Sequence, residues 1–438
     1  MDENRTAKPQ APKENLAGLY LPSERITEET VSRSWRIYLL VIWFSQLLAM
    51  LGFYACTPFL PYFIRELGIT EERQITLWSS VLVAAPSMLL AIFSPVWGWL
   101  SDLHGRKPTV WRTMLGGAVT VFLIGRCVSV RQLLALRLVQ GAITGTIPAC
   151  IALVASTVPK AHLPSALGFL QMSVFAGTSF GPIVGGIAAD RWGFRRSFTL
   201  ASAALLTGAL LVMFFVREEF ERPTSAQKGS GMISNLRDLL SNRSLFLMSL
   251  VVFAAQFSTN AQIPVLPQLV EKIEGVGLGS VSTTAGGLMA ATGISAAVSS
   301  ALMGPLGNGR RTLTLLVAMV ILSALVHMLH AAVHDLTHLY ALRVLAGIAA
   351  GGMFPLSNSL LAKCTAPDAR GTVYGVSSAA SYLGNFAGPL VAGIVGFTFG
   401  LRSVFIAIGL LFLLVALALL QLKHADIPYQ TIASKSRL

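Results

Sequence analysis

The sequence predicts an all-α membrane protein: twelve transmembrane helices in two six-helix, pseudo-symmetric halves. Three observations predict it. The chain of 438 residues is 54% hydrophobic and only 12% charged, roughly half the charged fraction of a soluble domain. Its apolar residues fall in runs of the roughly 20 residues that a bilayer demands. Landmarks in the first half recur in the second at a nearly constant spacing.

In chain order, the spans are predicted at residues 37–63, 75–100, 109–128, 132–158, 163–189, 196–216, 244–269, 282–306, 312–333, 336–362, 371–398 and 402–422. The expected organisation is an N-terminal tail (1–35), a six-helix half (36–216), a linker (217–243), a second half (244–422) and a C-terminal tail (423–438). The linker is charged and contains Pro223, Gly229 and Gly231, residues that interrupt helices. The first 35 residues hold no short apolar core of the kind a cleavable signal carries, so the first span is expected to direct insertion.

The net charge of +13 does not point to nucleic acid, because the basic residues form no stripe. They sit in loops, and unevenly. Of the 33 Lys and Arg, 22 lie in the two tails and the loops on their side, 9 lie on the opposite side, and Arg137 and Arg343 lie within spans. Basic loops stay in the cytosol, so both termini are expected there, in a plasma or bacterial inner membrane. The four cysteines lie in or at the ends of apolar runs without metal-ligand spacing, which predicts buried thiols and no metal site. No nucleophile constellation or phosphate-cradling loop appears. The chain is therefore not expected to be an enzyme, to use a cofactor or to be driven by ATP.

The repeat is specific. Pro58 and Pro61 return as Pro264 and Pro267, Gly98 as Gly304, and Arg137 as Arg343, each displaced by 206; Gly181-Pro182 returns as Gly388-Pro389, displaced by 207. Two equivalent halves can rock about a site at their interface.

Three motifs carry chemistry. After the second span the chain reads Gly98, Leu100, Asp102, Gly105, Arg106 and Lys107 in the pattern G-x-L-x-D-x-x-G-R-K, where the glycines permit close packing and a tight turn. The fourth span holds Arg137, Gln140 and Gly141, with Arg137, Gln140 and Thr144 on one helical face. An arginine there costs several kcal/mol facing lipid, so Arg137 is expected to face a cavity. The fifth span reads Gly177, Gly181, Pro182, Gly185 and Gly186, a smooth face with a bend, and most of it returns as Gly384, Gly388, Pro389 and Gly393.

These motifs resemble the signatures of the major facilitator superfamily, and the fifth-span pattern resembles that of its drug:proton antiporter branch. The resemblance covers about Arg36 to Leu422. It implies a secondary active exporter that works by alternating access in exchange for protons, with Asp102 latching the cytosolic side against the start of the eleventh span. The second half keeps Gly304, Gly309, Arg310 and Arg311 but has no counterpart of Asp102. The sequence also departs from the drug exporters that carry a carboxylate in the first span, because no acidic residue lies in the middle of any span. Proton carriers are therefore sought at Asp102, Asp190 and, as a lesser candidate, His327, with Arg137 and Gln140 shaping the cavity. Candidate substrate contacts are Gln46, Tyr54, Gln171, Gln256, Asn260, Asn358, Tyr382 and Asn385.

An arginine without a carboxylate makes the expected cavity positive. That favours small amphiphilic molecules that are neutral or anionic, with protons and the lipid bilayer as the other partners, no nucleic acid, and a monomer as the working unit. A dedicated exporter of one metabolite, such as a carboxylate siderophore, stays open as the alternative. A proton-coupled importer is disfavoured by the fifth-span pattern, and a membrane receptor leaves the motifs without purpose. The charge asymmetry has a direct test. Cysteines introduced at positions 5–30 or 430–438 should escape an impermeant thiol reagent added to sealed cells, and labelling there would invert the topology.

Overall fold

The computed structural model describes residues 23–159, 162–218, 243–274, 281–306, 311–364 and 370–422. Most of both tails and of the 217–243 linker lies outside the described residues. Everything regular among the described residues is helical. The N-terminal half comprises α1 (Ser23–Cys56), a 3-10 turn (Thr57–Phe59), α2 (Leu60–Glu66), α3 (Glu72–His104), α4 (Arg106–Ile124), α5 (Val130–Ile143), α6 (Thr146–Thr157), α7 (Leu163–Trp192) and α8 (Phe194–Phe215). The C-terminal half comprises α9 (Arg243–Ala261), α10 (Leu266–Glu274), α11 (Val281–Leu306), α12 (Thr312–His330), α13 (Leu336–Lys363), α14 (Arg370–Phe399) and α15 (Leu401–Leu420).

These helices make twelve crossings. Eleven stretches are long and apolar enough to span a bilayer. The twelfth crossing is α4, whose first two turns carry Arg106, Lys107 and Arg112 and so dilute its hydropathy. Its 19 residues still reach about 28 Å, close to the thickness of the hydrocarbon layer. Large apolar side chains such as Phe214, Phe215 and Leu414 are exposed, at 68%, 60% and 65%, as a lipid-facing surface requires and an aqueous one forbids.

Three crossings are interrupted where the sequence reading has continuous spans. The first changes to a 3-10 turn at Thr57–Phe59, and the seventh opens into a turn between Ala261 and Leu266. Pro58 and Pro61 cause the first break and Pro264 the second, since proline cannot donate to the preceding turn. The fourth crossing breaks at Thr144 and Gly145, where Gly145 has φ +153°, a conformation that other residues rarely adopt. The first crossing also extends back in helical form to Ser23.

The repeat is visible in the packing. Helix α1 lies on α7 as α9 lies on α14; α3 pairs with α5 as α11 pairs with α13; α4 pairs with α8 as α12 pairs with α15. Each half has its own apolar core, one built around Leu60, Phe63 and Leu205, the other around Val251, Phe405 and Phe412. The halves join through α7 on α11 and α14 on α3.

That junction runs from the end holding the turn at Gly68 to the middle of the helices, where a Cβ on Gly293 of α11 would meet Ser179 of α7. Arg65 pairs with Glu271 at 2.6 Å, and these positions are equivalent in the repeat, 206 residues apart. Equivalent residues meet only on a pseudo-twofold axis. Around it Tyr62 donates to the Pro267 carbonyl at 2.8 Å, Thr76 to Gln268 at 2.8 Å, and Lys272 to Glu72 at 2.7 Å. The Asp190 carboxylate accepts from the Thr283 amide at 3.0 Å and from its hydroxyl at 2.5 Å. Close helix approach completes the seal. A Cβ on Gly186 would come within 2.6 Å of the Ser282 carbonyl oxygen on α11.

At the opposite end, around Gly105, the described bonds stay within a half. Lys363 donates to Thr312 at 2.9 Å. Glu218, just past α8, accepts from the Arg106 amide at 2.9 Å and the Lys107 amide at 2.7 Å. These are free donors of the first turn of α4, so the carboxylate caps that helix and opposes its dipole. Gly105, at φ +99°, makes the reversal between α3 and α4.

Two outcomes follow from this packing. Gly186→Leu should hold the Gly68 end apart, so that a disulfide between Arg65→Cys and Glu271→Cys, formed readily with Gly186 present, forms several-fold less with leucine in its place. Glu218→Gln should lower the unfolding free energy of the purified protein in detergent by about 1 kcal/mol, the usual worth of a helix cap, seen as an earlier thermal melt.

Candidate functional site

The fourth crossing begins with Ser129 capping α5 through the Gln132 amide. Arg137 follows two turns later, and Gln140, three residues on, lies beside it. The Arg137 guanidinium donates to the Gln140 side-chain oxygen at 3.0 Å; the two residues are 6% and 4% exposed. The guanidinium is thus enclosed by protein rather than lipid, and its Nε has no partner. Among the described residues neither Arg137 nor Arg343 has a carboxylate partner.

Arg343 occupies the repeat-equivalent place on α13 but is held differently. It donates to the side-chain oxygen of Gln262, in the turn between α9 and α10. The Gln262 amide nitrogen donates to the Ser258 carbonyl at 2.8 Å and approaches His327 Nε2 on α12 at 3.0 Å. The Ser258 hydroxyl is also 3.0 Å from that nitrogen. His327 Nδ1 lies 2.7 Å from the Ser323 carbonyl. His330 stacks on His327 with ring centroids 5.6 Å apart and sends Nδ1 to the Val326 carbonyl at 2.7 Å. All of these residues are buried. Gln262, Ser258 and His330 were not singled out in the sequence. The signal available was Gln262 sitting two residues before Pro264, in a break that the repeat already marked.

The other candidates fall into separate groups. Tyr54 and Asn260 are repeat-equivalent positions on α1 and α9, both half-buried. Tyr54 packs at Gly181 of α7, and Asn260 donates to Asn385 of α14 at 2.8 Å. Gln256 packs at Gly384 of α14. Gln171 is exposed on the face of α7 that, eleven and fifteen residues further on, carries Pro182 and Gly186 against α11. It lies on that face toward the Gly105 end, short of the contacts with α11. Asn358 and Tyr382 are half-buried on α13 and α14. Gln46 is fully buried, with both amide atoms unpartnered. It shares a face of α1 with Phe53, which packs at Gly117 of α4, so it points into its own half. Asp190 lies in the seal at the Gly68 end.

Of the motif residues, Gly177, Gly181 and Gly185 face α1, where a Cβ on Gly181 would meet that of Tyr54 at 3.0 Å, while Gly186 faces α11. Gly98 has nothing within 4 Å of a Cβ built on it. Arg106 and Lys107 open α4 through the Glu218 cap. The side chain of Asp102 lies outside the described residues, and so does the second-half turn at Gly309 and Arg310.

The geometry matches known proteins in both sequence and fold. The family model described as Major Facilitator Superfamily matches residues 42–286 and 248–436. The multidrug resistance protein MdtG of Proteus mirabilis is 31% identical over 374 residues, covering 85% of this chain and 92% of that protein. MdtG of Dickeya zeae is 31% identical over 381 residues, covering 86% and 92%. Among solved structures, a bacterial homologue of the human lysosomal transporter Spinster, inward-facing and occupied, superposes with TM-score 0.70 at 16% identity, covering 89% of this chain and 96% of that one. The human organic anion transporter MFSD10 gives 0.65 at 21%, covering 88% and 99%. With the family model spanning both halves and relatives matching most of its length, the chain belongs to the Major Facilitator Superfamily and is a multi-pass membrane transporter, not an enzyme.

Proposed function

We propose that this transporter is a proton-driven exporter of small amphiphilic molecules, with neutral and anionic solutes favoured over permanent cations. Both termini are cytosolic, so the sealed Gly68 end is the outer one and the conformation described above is inward-facing. The tails, the linker and the two six-helix halves keep the boundaries read from the sequence.

The observation that carries this reading is a pair of buried guanidinium groups, one per half, without a described carboxylate partner. Every carboxylate among the described residues lies at a helix end or in a turn. The interior potential is then positive, and a solute anion is the charge complement that the site lacks. A charge-assisted hydrogen bond to an arginine with a free Nε suits a carboxylate and repels a quaternary ammonium. The seal supports alternation. It consists of half-exposed ion pairs, of which such pairs typically contribute about 0–1 kcal/mol each, together with helix packing that can part. Relatives described as multidrug resistance proteins favour export of more than one compound. Asp102 keeps its role as the latch of the other end.

The test uses everted membrane vesicles with an acid interior and two probes of similar size, a lipophilic carboxylate and a lipophilic quaternary ammonium. Wild type should accumulate the carboxylate in response to the pH gradient. Arg137→Gln should lower that accumulation about tenfold, as expected for losing one hydrogen bond to a charged group. A wild-type preference for the quaternary ammonium would overturn the positive-cavity argument.

A further inference from the structure

Proton exchange needs a group that binds a proton on one side of the membrane and surrenders it on the other. We propose that His327 is that group and that Gln262 links its protonation to Arg343. This deepens the reading above and rests on it.

Three geometric facts fix the wiring. A carbonyl only accepts, so the Ser323 carbonyl at 2.7 Å places a hydrogen on His327 Nδ1. Arginine only donates, so Gln262 must turn its oxygen to Arg343 and its NH2 group to His327. Facing that NH2 group, His327 Nε2 is placed as an acceptor, the arrangement of a neutral ring in this inward-facing form. Adding a proton at Nε2 places two donors face to face. The Ser258 hydroxyl, also 3.0 Å from Nε2, can accept the added hydrogen; Gln262 can accept it only by turning its oxygen to the histidine, which aims its NH2 group at the guanidinium and breaks the bond to Arg343. Protonation of His327 therefore works against the Gln262–Arg343 bond.

The surroundings sharpen that opposition. His327 is faced by Arg343 from α13, by Ser258 and Gln262 from the seventh crossing, by Phe412 of α15, and by His330 and Ser323 on its own helix. No described carboxylate bonds to it from outside the helix that carries it. The added charge would stand beside Arg343 in a site where His327 is 2% exposed. The proton therefore leaves in this conformation, and it is taken up in one where the outer end has opened and admits water to the site. His327 lies one turn from the outer end of α12, which suits uptake from outside. That order, proton lost inward and gained outward, is what an antiporter requires.

The repeat shows that the device belongs to one half only. Subtracting 206 places Cys56 at the position of Gln262, Val121 at that of His327, Ile124 at that of His330 and Gly52 at that of Ser258. Conversely Gln140, the partner of Arg137, is matched by Ala346. The arginine is common to both halves and the titratable network is not.

The test titrates the proton directly. Nitroxide labels on Arg73→Cys and Ala332→Cys, both exposed near the outer end on opposite halves, report its opening by interspin distance in lipid nanodiscs between about pH 5 and pH 8, the range in which histidine changes charge. Wild type should open at the outer end as the pH falls. His327→Gln should abolish the response. His330→Gln should retain it, because His330 Nε2 bonds to no described group. Gln262→Glu should raise the midpoint by about one pH unit or more, since a carboxylate accepts from both neighbours and attracts the proton; a merely structural role would not move the midpoint that way. Even if His327→Gln fails to fold, an unchanged or lowered midpoint in Gln262→Glu overturns the proposal. A pH response unchanged in a folded His327→Gln protein overturns it as well, while gradient-driven uptake of the carboxylate probe by wild type would leave the proton-driven reading standing. Loss of that uptake in wild type itself removes both.

Discussion

A guanidinium ion in hydrocarbon is costly enough to dictate what surrounds it, and this chain places one in each half. Arg137 and Arg343 are 6% and 5% exposed, and each is bonded by a glutamine oxygen rather than a carboxylate. An amide leaves the net charge standing. Enclosure by neighbouring helices then keeps lipid away, and that is how each bundle is built: α5 against α3 and α4, α13 against α11 and α12. A buried pair with a carboxylate would satisfy the arginine more fully, but separating its members costs several kcal/mol. Amide partners leave the charge available to something that comes and goes.

The same economy governs the seal between the halves. Arg65 and Glu271, equivalent positions on the pseudo-twofold axis, keep 29% and 27% of their side-chain surface exposed, and Lys272 and Glu72 keep 52% and 63%. Water screens such pairs, so they set the register of the halves without locking them together. Registration also comes from small residues, because Gly186 lets α7 approach the α11 backbone more closely than any side chain would allow. The closed end is thus specific in geometry and modest in strength.

What the sequence made legible is what repeats or what lipid demands. The twelve crossings follow from apolar length, and residues 109–128 qualified even with Arg112 among them. The repeat in Pro58, Pro61, Gly98, Arg137 and Gly181 exposed the two halves, because close packing and chain breaks require particular residues at particular places. The breaks themselves were harder to foresee. Gly145 reads as one more small residue in a glycine-rich stretch until its φ is known. Glu218 looked like the first acid of a linker, since nothing near it in sequence reveals the α4 amides more than a hundred residues earlier. Asp190, sought as a proton carrier, sits on a helix start in the other half. Gln262 and His327 meet across 65 residues, and only folding joins them. Partnerships between distant polar residues leave no period in a sequence, whereas burial does.

On the proposed reading, these magnitudes decide whether one proton can drive the cycle. A difference of one pH unit is worth about 1.4 kcal/mol, and a ligand shifts an equilibrium only by its differential affinity for the two states. Exposed ion pairs of about 0–1 kcal/mol each fall within that reach, whereas a buried pair that costs about 3–5 kcal/mol to break would not. Placing the charged pairs at the wet rim and keeping the buried arginines on neutral amides makes the two conformations close in energy. The repeat then supplies the asymmetry that exchange needs. One scaffold position carries an arginine in both halves, yet a histidine stands near it only in the second. Solute and proton need not touch or compete for a single residue. Each acts through the arginine of its own half, and the rocking of the halves, which neither ligand bridges, carries the coupling between them.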